Sequence, residues 1–169
     1  MPGSVIASSA RTPIGKLSGA LASLSAMELG GLAITAALER GGVGPEQVDY
    51  VIMGQVLQAG QGQITARQAA VNAGIPMTLP ALTINKVCLS GINAIYLADQ
   101  MIQSGDAEVV VCGGMESMTN SQYMLPKARA GYRMRTGQVV DSFLQHRLWC
   151  AVAGAPRGSG TRRPTGGCG

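Results

Sequence analysis

Cys88 is the side chain whose type and position best suit covalent chemistry. It lies in the run Thr83-Ile84-Asn85-Lys86-Val87-Cys88-Leu89-Ser90-Gly91, where an extended, β-prone stretch gives way to a helical pattern. A cysteine at such a junction sits on a sharp turn among the free N–H groups of a helix N-terminus. Those amides and the helix dipole favour an anion and enrich the reactive thiolate. Position alone leaves a second reading open, a buried structural cysteine that behaves as a small hydrophobe.

Other chemistries find little support. The four cysteines, Cys88, Cys112, Cys150 and Cys168, show no Cys-x-x-Cys spacing, and His146 is the only histidine, so no metal site is expected. His146 is a poor base for Cys88, because a histidine on an unsupported segment has no partner to hold its tautomer. Gly60-Gln61-Gly62-Gln63-Ile64-Thr65 half-matches a dinucleotide fingerprint, but Thr65 replaces the third glycine and no acid follows about twenty residues on. A turn is the better reading. Gly113-Gly114 suits close packing or a bend more than phosphate binding. There is no Walker loop and no Gly-x-Ser-x-Gly elbow.

The elements that must position Cys88 alternate between strand and helix. Ser4–Ser9 reads as a short buried strand. Ser25 and Glu28 form a capping box that opens a helix, with Leu29, Leu32, Ala33, Ala36 and Ala37 on one stripe and a stop at Gly41-Gly42. Residues 49–57 read as a second strand. Thr65 and Gln68 resemble another capping box, for a helix ending near Gly74 before Pro76. Residues 79–87 give a third strand, and the Cys88 helix follows with an apolar face of Ile92, Ile95, Tyr96 and Ile102 closed by Gly105. Residues 108–112 are continuously apolar, as in a centrally buried strand. This alternation predicts an α/β layered domain over residues 1–117. Residues 118–150 lose the period and read as an irregular excursion. Residues 151–169 hold no large apolar residue after Val152 and are expected to form a disordered tail.

At 169 residues the chain can bury a real core. Hydrophobic residues make up 46% and charged residues 13%, so more apolar surface is expected than a small monomer can hide. A partner subunit or a further piece of the same protein is the expected remedy. Residues 1–124 carry five basic side chains against eight acidic ones, whereas residues 125–169 carry eight basic ones against Asp141 alone. A basic stretch attracts phosphates. Aromatic residues are only 4%, too few for a stacking platform, and no nucleic-acid module is recognisable, so no nucleic-acid partner is expected. Neither a cleavable leader nor a run of membrane-spanning length is apparent, so no membrane partner is expected and the cytoplasm is the expected compartment.

Taken together these motifs resemble the thiolases, and within them the acetyl-CoA C-acetyltransferases. The matching residues are Ser9-Ala10-Arg11-Thr12-Pro13-Ile14-Gly15, Gly54-Gln55-Val56-Leu57 through Gln63, Ala66-Arg67-Gln68-Ala69-Ala70, Asn85-Lys86-Val87-Cys88-Leu89-Ser90-Gly91, and Gly105-Asp106 through Gly113-Gly114-Met115-Glu116-Ser117-Met118. The resemblance runs over residues 3–149. It implies a thiolase-like layered fold, a mixed sheet flanked by helices, of which this chain carries the N-terminal half. It implies that Cys88 accepts the acyl group, that its backbone N–H is one oxyanion donor, and that acetyl-CoA and acyl-CoA are substrates, with no metal or other cofactor. Residues 118–150 would begin the region that binds coenzyme A, and Leu148 would line the pantetheine channel. Relatives assemble as dimers and tetramers, so a homo-oligomer, or association with full-length subunits, is the implied state.

Departures from the family pattern set a second expectation. Leu89 stands where many relatives have glycine, and Gln145-His146-Arg147-Leu148-Trp149 replaces an Asp-Gly-Leu run with only Leu148 in register. Nothing beyond Cys150 resembles a thiolase, as an altered reading frame would produce. The second half of the family, with its activating histidine, second cysteine and water-orienting asparagine, is expected to be absent. Turnover is then expected to be impaired, since general-base assistance is worth about 10²–10⁴-fold. The alternative is a non-catalytic fragment that associates with full-length thiolase subunits. A ketoacyl-synthase relative fits less well, given the Asn85–Cys88 and Gly113–Met118 motifs.

Overall fold

The structure, a computed structural model, describes residues 3–134, 136–151 and 154–156. They divide into two compact units, residues 1–120 and 121–169. The first holds helix α1 (Ala26–Gly41), strand β1 (Tyr50–Gly54), helix α2 (Thr65–Asn72), strand β2 (Ala81–Ile84), helix α3 (Ser90–Ser104) and strand β3 (Val110–Gly114). The three strands form one parallel sheet in the order β2-β1-β3, with Val51 opposite Ala81 and Val111, and Gly54 opposite Ile84 and Gly114. The crossover β1-α2-β2 and the crossover β2-α3-β3 run in opposite directions across the sheet, so right-handed connections put α2 and α3 on opposite faces. The result is the α/β layering that the alternation predicts.

Side chains of β1 alternate between the two faces. Val51 and Met53 join a core with Ile34 and Leu38 of α1, Ala66, Ala69 and Ala70 of α2, and Met115. Ile52 is buried on the other side, and Gly54 at the end of β1 abuts the start of α3. Ser25 caps α1 as expected: its Oγ accepts from the Glu28 N–H at 3.2 Å, and Glu28 Oε2 accepts from the Ser25 N–H at 2.7 Å.

Four readings of the sequence are corrected here. Residues 4–9 form no strand, and Val5 and Ile6 are 84% and 77% exposed. A strand exists only by pairing, and this segment is instead tied by side chains, through Arg40 Nη1 to the Ser9 carbonyl and Ser4 Oγ to Asp99. The buried side of α1 is Ala26, Met27, Gly30, Gly31, Ile34 and Leu38, while Leu32 is exposed. A Cβ on Gly31 would stand 2.7 Å from Asn72 Cβ, so a glycine face, not a leucine face, seats α1 on α2. Finally, Thr65 does not cap α2. The N-cap is Ile64, at φ 39°, and the Ala66 N–H is satisfied by Thr83 Oγ1 of β2 at 2.8 Å. β3, read as a central strand, lies at an edge among the described strands; β1 is central.

The second unit is built of short pieces. Strands β4 (Tyr123–Met124) and β5 (Val140–Asp141) pair antiparallel, as do β6 (Trp149–Cys150) and β7 (Ala155–Pro156), with a π-helical turn at Leu144–Leu148. Residues 157–169, most of the expected tail, lie outside the described residues.

Asp49 staples the start of β1 to β3. Its carboxylate accepts from the Val109 and Glu108 amides at 2.9 and 2.8 Å, and these bonds hold its pKa below the ordinary aspartate value. The stabilisation is therefore complete above the unfolded pKa, about 3.9, and is lost as pH falls through the folded value. The urea midpoint of Asp49→Asn should lie below wild type near neutral pH. That gap should hold down to about pH 4 and narrow as pH falls further through the folded-state pKa, in the direction linkage requires.

Candidate active site

The first turn of α3 lies directly on the sheet because three glycines leave room for it. Gly54 ends β1, Gly114 ends β3, and the two are paired in register. A Cβ on Gly54 would stand 2.6 Å from the backbone carbon of Ser90 and 2.9 Å from the Gly91 nitrogen. A Cβ on Gly114 would be 3.3 Å from Gly91 Cα. A side chain at Gly54 has no room, and one at Gly114 would need its neighbour to give by a few tenths of an ångström. Consequently α3 presents Ser90, Ala94 and Ala98 to the sheet, all buried, while Ile92, Ile95 and Tyr96 are 69%, 43% and 55% exposed. The expected apolar face of this helix thus points outward, since only small residues suit so close a seat.

The chain enters α3 from β2 through a tight turn. The Leu89 N–H bonds the Lys86 carbonyl at 3.1 Å and the Ser90 N–H bonds the Val87 carbonyl at 3.2 Å. Val87 lies at φ 50°, in the left-handed region. A β-branched residue held there costs about 1–3 kcal/mol and persists only where its surroundings over-determine it. Two side chains supply that determination. Asn85 Oδ1 accepts from the Val87 N–H at 3.0 Å. Ser90 Oγ accepts from the Lys86 N–H at 2.8 Å and donates to the Val87 carbonyl at 2.6 Å. Lys86 Nζ reaches Asn93 Oδ1, one turn into the helix, at 3.2 Å.

Cys88 sits at the crest of this turn, exposed, with a free thiol. Its amide finds no acceptor among the described residues, and it precedes a 15-residue helix. The arrangement offers an accessible sulfur beside an uncommitted N–H donor and the positive end of a helix dipole. Cys112, the other free thiol, is half-buried on β3, and burial pushes its pKa up. It is the weaker nucleophile of the two.

The strand ends are tied together around the turn. The Met115 N–H bonds the Gly54 carbonyl at 2.9 Å, and the Glu116 carboxylate accepts from the Val56 and Leu57 amides at 3.0 and 3.3 Å. Gly60 and Gly62, at φ 71° and 86°, form a turn. An open cleft of about 300 Å³ lined by Ser25, Met27, Arg67, Gln68 and others belongs to α1 and α2 rather than to this site. Leu148, the other expected site residue, is in the second unit, at the end of the π-helical turn and 43% exposed. His146 is exposed on the same turn. Sequence reasoning missed Ser90 and Val87. An Asn-x-Val-Cys-x-Ser order, with a short polar residue on each side of the cysteine, is the one signal that could have found them.

Comparison with known proteins carries the match past residue 149, where the resemblance read from the motifs ends, and corrects the expectation that nothing beyond Cys150 is alike. The family model described as thiolase, N-terminal domain, matches residues 4–165. An acetyl-CoA acetyltransferase of Cupriavidus necator is 55% identical over 145 residues, 86% of this chain and 37% of that protein. A probable acetyl-CoA acetyltransferase of Mycobacterium tuberculosis is 52% identical over 163 residues, 96% of this chain and 42% of its own length. The acetyl-CoA acetyltransferase of Escherichia coli is 50% identical over 155 residues, 91% of this chain and 39% of that protein. The chain thus spans about two fifths of these curated relatives.

The glycine seat makes a prediction. Gly54→Ala should force α3 off the strand ends, lowering stability by about 1–3 kcal/mol as overpacking does. Urea denaturation reads the loss. A variant as stable as wild type would show that the seat is not close-packed.

Proposed function

This chain belongs to the thiolase family, and we propose that it takes part in thiolase-type acyl transfer, forming or thiolytically cleaving 3-ketoacyl-CoA through an acyl-Cys88 intermediate. The observation that carries this reading is the exposed Cys88 thiol at the crest of a strained strand-to-helix turn, beside its own uncommitted amide. In the first half-reaction the Cys88 thiolate attacks the thioester carbonyl of an acyl-CoA. A sulfur–carbon bond forms, the carbonyl oxygen gains negative charge beside the Cys88 N–H, and coenzyme A leaves as its thiolate when the original thioester bond breaks. Thiolysis of a ketoacyl-CoA reaches the same acyl-enzyme by expelling an enolate of acetyl-CoA. The electrophile is an activated carbonyl and the leaving group a thiolate or a thioester-stabilised enolate, so the proposed chemistry invokes no metal.

The second unit carries exposed basic side chains of its own. Lys127, Arg129 and Arg133 are exposed in it, and basic side chains there would draw in the phosphates of coenzyme A. Leu148 would lie along the pantetheine arm. A soluble, cytoplasmic setting is part of the proposal; among the described residues no helix is long and apolar enough to cross a membrane.

A second reading has its own observation. Ile92, Ile95 and Tyr96 leave an apolar stripe on α3 uncovered. A chain with such a face can serve as a partner for full-length thiolase subunits without turning over by itself.

Intact mass spectrometry separates the two. Incubation with acetyl-CoA or acetoacetyl-CoA should add one acetyl group to wild type and none to Cys88→Ala. Absence of the adduct, together with co-purification with an intact thiolase, would favour the partner reading and overturn the first.

A further inference from the structure

The turn that carries Cys88 holds an unfavourable backbone, and one side chain bridges it. Ser90 is 5% exposed, wedged where a Cβ on Gly54 would come within 2.6 Å of its own Cβ. From that fixed seat its hydroxyl accepts from the Lys86 N–H at 2.8 Å and donates to the Val87 carbonyl at 2.6 Å. Both bonds lie on the N-terminal side of Cys88: they tie the Asn85–Lys86 peptide to the Val87–Cys88 peptide, and so bracket Lys86 and the left-handed Val87 at φ 50°. A helix N-cap bonds forward, to amides of its own first turn. Ser90 bonds backward into the turn, and α3 has no side-chain cap at its N-cap residue, Leu89. The hydroxyl is therefore spent on the shape of the turn, not on capping the helix.

We propose that Ser90 is a positioning residue for Cys88. It transmits the placement of the glycine seat to the nucleophile by holding Val87 left-handed, which aims the Cys88 amide and sulfur together at the helix N-terminus. Without the hydroxyl, Val87 relaxes toward the ordinary β or right-handed helical region, and the peptide joining it to Cys88 rotates. The thiolate then loses the favourable field of the amides. The proposal deepens the reading of Cys88 as the acyl acceptor and rests on it for its functional meaning.

The test uses iodoacetamide, which needs no acyl-CoA, with peptide mass spectrometry following Cys88 and Cys112 in the same sample. Ser90→Ala should slow modification of Cys88 by about fivefold, the size of a lost helix-terminus stabilisation of an anion, and leave Cys112 unchanged. Asn85→Ala, which removes the exposed second support of Val87, should slow Cys88 in the same direction. In a Val87→Gly background, where the left-handed conformation carries no steric cost, adding Ser90→Ala should have no effect on the Cys88 rate. An unchanged Cys88 rate in Ser90→Ala would overturn the proposal. So would a joint rise in Cys88 and Cys112, which marks general loosening, or a full effect of Ser90→Ala in the Val87→Gly background. Failure of acylation in wild type, with this pattern intact, would count against the function and not against the role of Ser90.

Discussion

Everything in the first unit hangs on the approach of α3 to the ends of β1 and β3. Three backbones meet at Gly54, Gly91 and Gly114 with no space for a methyl group between Gly54 and the helix. This contact fixes which turn of α3 touches the sheet and, through Ser90, where the preceding residues go. It also explains why a strained turn survives. The helix start is held by the glycine seat and β2 by its pairing with β1, and between these fixed ends Ser90 and Asn85 hold Val87 in its left-handed conformation. Strain of this kind is maintained by fixed surroundings, here a backbone frame completed by two side chains.

The same use of small residues recurs on the opposite face. Gly30 and Gly31 let α1 close on Met115 and Asn72, and Ala66, Ala69 and Ala70 line α2. Helices that pack by glycine and alanine gain dense backbone-to-backbone contact while burying little side-chain area each. Their large apolar residues are then free to face outward. That is the reason hydrophobic periodicity misdirects here: Leu32 of α1 and Ile92, Ile95 and Tyr96 of α3 face outward, although Ile34 and Leu38 of α1 do join the core.

Fold class and element order were legible, because alternation of β-prone and helical segments survives any rotation of a helix about its axis. Ser25 with Glu28 was legible as a cap, since both partners lie within one turn of sequence. The cap of α2 was not, because Thr83 reaches it from another strand, and no local pattern encodes that. The Ser4–Ser9 segment has strand composition but finds no partner edge, and composition cannot supply one. Cys88 stood out from position and from its flanking motif. Its support by Ser90 and Asn85 depends on a backbone angle at Val87 that a valine gives no hint of adopting.

The outward stripe of α3 starts beside Cys88. Leu89, Ile92 and Tyr96 are spaced three and four residues apart, so they lie on one helix face, and Leu89 is the residue next to Cys88. Forming an acyl-enzyme requires an accessible thiolate and a donor for the carbonyl oxygen, and an exposed turn provides both. Carbon–carbon bond formation is more demanding, since a carbanion next to a thioester is quenched by any water that can donate a proton, and a dry site is its protection. Whatever covers Leu89, Ile92 and Tyr96 would also exclude water from the sulfur beside them. Under the proposed function, the uncovered surface of α3 and the surface that would need drying for carbon–carbon bond formation are continuous, so a covering partner and the chemistry would meet at one helix end.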